Sequence, residues 1–128
     1  MNALKDHISF QASALSLRSA RNNMLASNIA NAATPGYKAR DLDFDREMAQ
    51  QIGDSPVRKS TTRHVDNLVG VGADRVQYRQ PLNPSLDGNT VEMSVEQMEF
   101  SENSLRYMTT LTFLNKRVAG LMSAIRGE

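Results

Sequence analysis

Apolar and polar positions at the two ends of this chain repeat with helical spacing, and the stretch between them does not. Residues 3–31 contain no Gly or Pro. Within them Ile8, Ala12, Leu15, Ser19, Asn22, Ala26 and Ile29 follow a 4-3-4-3 spacing, a heptad-like seam. Phe10, Leu17 and Met24 form a second row spaced by seven. Successive residues of a helix turn by about 100°, which puts the second row opposite the first. Lys5, Asp6, Arg18 and Arg21 are the only Lys, Arg, Asp or Glu in the segment. A core helix in a small bundle accounts for this pattern. Two opposed stripes on one helix also fit burial between layers of neighbouring chains.

The second periodic stretch is 90–125. Tyr107, Leu111, Leu114, Val118, Leu121 and Ile125 repeat the 4-3 spacing. Asn89 is read as its N-cap, with Glu92 at N3 of a capping box. Glu92, Glu96, Glu99 and Glu102 crowd the first turns, and Arg106, Lys116, Arg117 and Arg126 follow. That is the polarity a helix dipole favours, and the Glu row reads as a solvated face. Met93, Met98, Met108 and Met122 are expected to pack in the helix seam.

Between the helices the pattern changes. Pro35 lacks an N–H and disfavours helical geometry at Thr34, and Pro35-Gly36 suits the centre of a type II turn. Asn28 and Asn31 lie one turn apart just before it. Asn is a poor helix former, so the pair is read as satisfying the carbonyls of that last turn or as bonding a neighbouring chain. From Arg40 to Met48, charged and apolar residues alternate, predicting a short extended segment that enters a helical turn over 44–52. Gly53-Asp54-Ser55-Pro56 breaks it. Residues 75–79 alternate like a strand, and Val69-Gly70-Val71-Gly72 reads as a weak strand or loop. The expected fold is mainly α: an antiparallel, coiled-coil-like hairpin of N-terminal (1–34) and C-terminal (89–128) helices, with a small irregular, β-containing insert (35–88), one domain overall.

Composition narrows the function. The chain has 128 residues, no Cys and no Trp, a formal net charge of +1 and 5% aromatic residues. Disulfides and Cys-based metal sites are excluded, and neither a polybasic membrane anchor nor a broad basic field for nucleic acid is present. No apolar run can span a bilayer, and no basic patch followed by an apolar block marks a cleaved secretory signal. So few aromatics make a thin core, which points to completion by other chains. His7 and His64 have no metal-ligand spacing with an acid, Gly70 and Gly72 lack a phosphate-loop context, and no Ser sits in a nucleophile motif. No catalytic residue, cofactor, metal or small-molecule substrate is expected.

Asn28-Ile29-Ala30-Asn31 with Thr34-Pro35-Gly36-Tyr37 resembles the signature of bacterial flagellar rod and hook proteins. Tyr37-Lys38-Ala39-Arg40-Asp41-Leu42-Asp43-Phe44 and Pro84-Ser85-Leu86-Asp87-Gly88-Asn89-Thr90-Val91 with Met93 are similar to segments of the family's smallest, proximal rod subunits, and Thr62-Arg63-His64-Val65 is the best match in the middle. The resemblance implies a structural subunit that assembles helically with itself and with other rod proteins into a drive shaft and export channel. It implies contacts with a membrane-ring junction protein and the type III export gate, and a place in the periplasmic rod, reached without a cleaved signal. Phe44-Asp45-Arg46-Glu47-Met48 looks like the family's gate-docking signal, with Phe44 and Met48 as its anchors. Ile8, Leu15, Ile29, Leu111, Leu114, Val118, Leu121 and Ile125 would form the assembly seam. The alternative class is a cytoplasmic helical adaptor with a single partner.

Overall fold

The computed structural model of the protein describes residues 2–53 and 76–127. In chain order these form α1 (Asn2–Ala30), β1 (Arg40–Leu42), α2 (Phe44–Gly53), β2 (Val76–Tyr78) and α3 (Met93–Arg126). The two long helices pack antiparallel, with Asn28 of α1 beside Glu96 of α3, and Asn22 beside Asn103. At a rise of about 1.5 Å per residue they span about 43 and 51 Å.

The insert supplies a small shoulder against one end of the hairpin. β1 and β2 pair antiparallel, in the register Arg40 to Tyr78, Asp41 to Gln77 and Leu42 to Val76. A ribbon this short is marginal by itself. It is held because Leu42, fully buried, joins Ala14, Leu17 and Met48 in one cluster, with Met24 and Phe44 packed against it. Asp43 starts α2 by accepting a bond from the Arg46 N–H (3.1 Å), and Asp45 and Glu47 complement its dipole. The expected strand at 75–79 is thus β2, and the alternating stretch from Arg40 is β1 leading into α2. The Val69 to Gly72 stretch, the Thr62 to Val65 match, His64 and the Asp54-Ser55-Pro56 break lie outside the described residues.

α3 begins at Met93, three residues later than the spacing predicts. Glu92 occupies the N-cap position and makes no side-chain capping bond. The predicted capping box does not form, because both of its members are engaged elsewhere. Glu92 accepts from the Asn83 N–H (3.2 Å), and the Asn89 amide turns back onto α1.

Burial is uneven along the hairpin. Ala14, Leu17, Leu25, Asn28, Glu96 and Asn103 are buried, all in the half beside the shoulder. No described residue before Ala14 in α1 or after Asn103 in α3 is buried.

Candidate functional site

The turn closes as its residues require. The Tyr37 N–H donates to the Thr34 carbonyl (3.3 Å), and Gly36 sits at φ 71° between them. That positive φ is open to glycine at no steric cost. The chain now runs back along α1, where the Asn28 side chain meets it. The Asn28 amide donates to the Arg40 carbonyl (2.7 Å), and its oxygen accepts from the Arg40 N–H (3.0 Å). One buried side chain therefore serves the strand as a neighbouring strand would, satisfying two backbone groups at once. Its oxygen also accepts from the Tyr37 hydroxyl (3.3 Å), and its amide reaches Glu96 (3.0 Å).

A second asparagine closes the site from the other side. The Asn89 amide donates to the carbonyls of Asn31 (3.1 Å), Ala32 (2.9 Å) and Thr34 (2.9 Å). These oxygens lie at and just past the end of α1, where the regular i+4 N–H partners have run out; those of Asn31 and Thr34 also accept from the N–H groups of Thr34 (3.0 Å) and Tyr37 (3.3 Å). Asn89 is thus a cap, but for the C-terminus of α1 rather than the N-terminus of α3. Asn31 also bonds within its own turn, to the Ser27 carbonyl (2.8 Å). Around Asn89 the two chain segments exchange further bonds. Gly36 N–H donates to Asp87, Thr90 N–H to Tyr37, Ala39 N–H to the Thr90 hydroxyl, and the Lys38 ammonium to Gly88.

Between α1 and α3 lies a chain of charges. Arg21 binds Asp41 through two bonds (2.8 and 3.0 Å) and Glu99 through a third (2.8 Å). Arg79 bridges Asp41 and the fully buried Glu96, the latter at 2.8 Å. Burial works against the Asp41 charge, but the bonds from Arg21, the Leu42 N–H and Arg79 outweigh it and hold its carboxyl below the ordinary carboxylate range. The bond to Asp41 correspondingly holds the Arg21 guanidinium above its ordinary value, against the effect of burial. Arg18 is pushed down, first by burial and then by Arg106 and Arg21, and its guanidinium stacks 4.1 Å from the Phe44 ring. Further along, the buried Asn103 amide donates to the Arg18 carbonyl and to Asn22, both at 2.8 Å.

The residues singled out in sequence divide into groups. Asn28, Asn31, Thr34, Gly36 and Tyr37 come together in this clasp. Ile29 is half-buried, and Ala30 and Pro35 are exposed. Phe44 is half-buried under Arg18, and Met48 is buried in the shoulder core. Of the proposed assembly seam, Ile8, Leu15, Leu111, Leu114 and Leu121 are half-buried, while Val118 and Ile125 are exposed. Two further expectations are overturned. Met93, Met98, Met108 and Met122 are all exposed rather than packed in the seam: Met98 and Met108 lie on the face turned from α1, and Met93 and Met122 lie at or near the two ends of α3. The Glu row is not a uniform solvated face. Glu96 is fully buried and Glu99 is bonded to Arg21, while Glu102 pairs with Arg106 at the surface.

Sequence reasoning missed Arg79, Asp41 and Arg21 as a network, since their partners lie 17 to 78 positions away. Asn103 left a trace: it stands four residues before Tyr107, in line with the apolar row, where a polar side chain marks register. Among the described residues no cluster of His, Asp or Glu is placed to hold a metal ion, and no helix is long and apolar enough to cross a membrane.

A family model described as Flagella basal body rod protein matches residues 8–38, which cover most of α1, the turn and the chain as far as Lys38. The chain is 55% identical over 128 residues to the flagellar basal body rod protein FlgB of Cereibacter sphaeroides, covering 100% of both. It is 39% identical to FlgB of Salmonella typhimurium (99% of this chain, 98% of the relative) and 39% identical to FlgB of Escherichia coli K12 (98% and 97%). Full-length identity at this level, together with a clasp built from the very segments that carry the resemblance, places the chain in the FlgB family of flagellar basal body rod proteins.

Proposed function

We propose that this protein is a structural, non-catalytic subunit of the proximal rod of the bacterial flagellum. In this role it assembles helically with itself and with other basal-body components. The observation that carries the reading is the contrast within α3. Leu105, Met108 and Phe113 are 61–69% exposed on a helix whose opposite side is already used by α1. Two helices alone cannot cover such rows, and neighbouring subunits can. Names of relatives favour the rod role over the helical adaptor.

Many modest helix contacts, repeated along an open assembly, carry torque without any one critical bond. The clasp gives each subunit a rigid knee at Pro35-Gly36, from which the shoulder stands off the helix pair. The partners would be other rod proteins, a membrane-ring junction protein and the type III export gate, through which the chain reaches the periplasmic rod. Phe44 and Met48 are the candidate gate signal. Met48 is buried in the folded chain, so the gate would read it before the shoulder closes.

The test is deletion of the gene in its host, followed by electron microscopy of purified basal bodies. Basal bodies that end at the membrane ring, with motility restored by complementation, are the expected result. Complete rods on swimming cells would overturn the reading.

A further inference from the structure

The two long helices present unlike outer faces. On α1, every exposed position from Ser9 to Ala30 is uncharged: Ser9, Phe10, Ala12, Ser16, Ser19, Asn23, Ala26 and Ala30. Arg18 and Arg21 are turned inward to Phe44, Asp41 and Glu99. A solvent-facing helix normally carries charge there, and depletion of charge marks the centre of an interface. On α3 the face turned from α1 carries Met98, Leu105, Met108, Thr109, Thr112 and Phe113, all exposed. The Thr109 and Thr112 hydroxyls donate back to the carbonyls of Leu105 and Met108, at 2.9 and 2.8 Å. Those donors are satisfied inside the helix, so covering this face costs them nothing in hydrogen bonds. Met108, Thr109, Thr112, Phe113 and Lys116 surround a shallow surface recess. Nearby, Glu102 and Arg106 neutralise one another.

We propose that the outer face of α3, centred on Leu105, Met108 and Phe113, docks on the charge-free outer face of α1 in a second copy of this chain. The inference rests on the rod-subunit reading and adds which face meets which. Bulky side chains on one face meet Ala12, Ser16, Ser19, Asn23 and Ala26 on the other, which lets the helices approach closely; Phe10 projects from a different side of α1. The apolar stretch 98–113 covers about 22 Å and the charge-free stretch 9–30 about 32 Å, so the longer face accommodates the shorter. Symmetry separates this arrangement from its competitor. Pairing α3 with α3 about a two-fold axis closes a dimer and leaves both α1 faces bare. Pairing α3 with α1 of the next copy leaves one free face of each kind at the two ends, and so propagates.

The chain has no Cys, so crosslinking is clean. Full-length chains carrying Met108→Cys would be co-expressed, in cells lacking the native gene, with tagged chains carrying Ala12→Cys, Ser19→Cys or Ala26→Cys. All four positions are exposed, and Phe113→Cys provides a second α3 probe if Met108→Cys proves ill-folded. Basal bodies would be isolated and treated with a short bismaleimide. The expected dominant product joins the α3 cysteine of one copy to an α1 cysteine of another. A Met108-to-Met108 product, a product joining Met108→Cys to a different protein, or no product from either α3 probe overturns the proposal. Mass spectrometry of the same basal bodies tests the underlying reading separately: absence of the chain from them defeats the rod assignment, whatever the crosslinks.

Discussion

One end of the helix pair is knotted to the shoulder by buried polar groups, and at the other end none of the described residues is buried. At the clasp, Asn28, Asn89 and Glu96 each satisfy partners from two or more segments, and Leu25 and Leu42 are fully enclosed. Beyond Ala14 and Asn103 the described residues of the same two helices are at most half-buried, as at Ile8, Leu111, Leu114 and Leu121, with their outer sides bare. The difference teaches how one short chain can be both folded and incomplete. The clasp fixes the helices' relative register and their angle to the shoulder. The distal half supplies exposed apolar surface, which the proposed assembly would bury.

The largest effect should come from Glu96→Ala. Breaking a buried pair by removing one partner typically costs about 3–5 kcal/mol, and this change leaves Arg79 and the Asn28 amide without it. Urea unfolding of the free chain should show a clear fall in midpoint. Asn89→Ala comes next, at about 1–3 kcal/mol, the usual cost of stranding buried polar groups. Its particular mark would be faster amide exchange at residues 31–40. Gly36→Val places a β-branched residue at φ 71° with open space around it, so strain alone acts, at about 1–2 kcal/mol. We expect it to abolish incorporation into basal bodies while circular dichroism still reports most of the helix.

Acid should loosen the clasp before the distal helices. The folded Asp41 carboxyl lies below its ordinary range, so the stability it contributes is present above the unfolded value, near pH 4, and is lost as pH falls through the folded one. Asp41→Asn should flatten that part of the stability-versus-pH curve. The smallest change in the free chain is expected from Leu114→Ala, below about 1 kcal/mol since the site is only half-buried. Its effect should appear in motility instead. A Leu114→Ala loss as large as that of Glu96→Ala would erase the contrast between the two halves.

Both long helices, the turn at Pro35-Gly36, α2 and the strand near residue 77 were legible in the sequence, because each is written in local terms: a repeat of three and four, a missing N–H, a glycine at positive φ, an alternation of two. The clasp was half legible. Asn28 and Asn31 stood out as amides in a helix end, but Asn89 looked like the cap of the helix that follows it. Only the tertiary structure decided that its amide faces Asn31, Ala32 and Thr34 across more than 50 positions of chain. It likewise decided that Glu96, one member of an apparently solvated row, is buried on Arg79, and that the methionines of α3 singled out in the sequence are exposed. A helical period fixes which residues share a face, and it carries no information on what that face meets. For polar groups the partner settles burial or exposure, and here the partners are brought together by the fold alone.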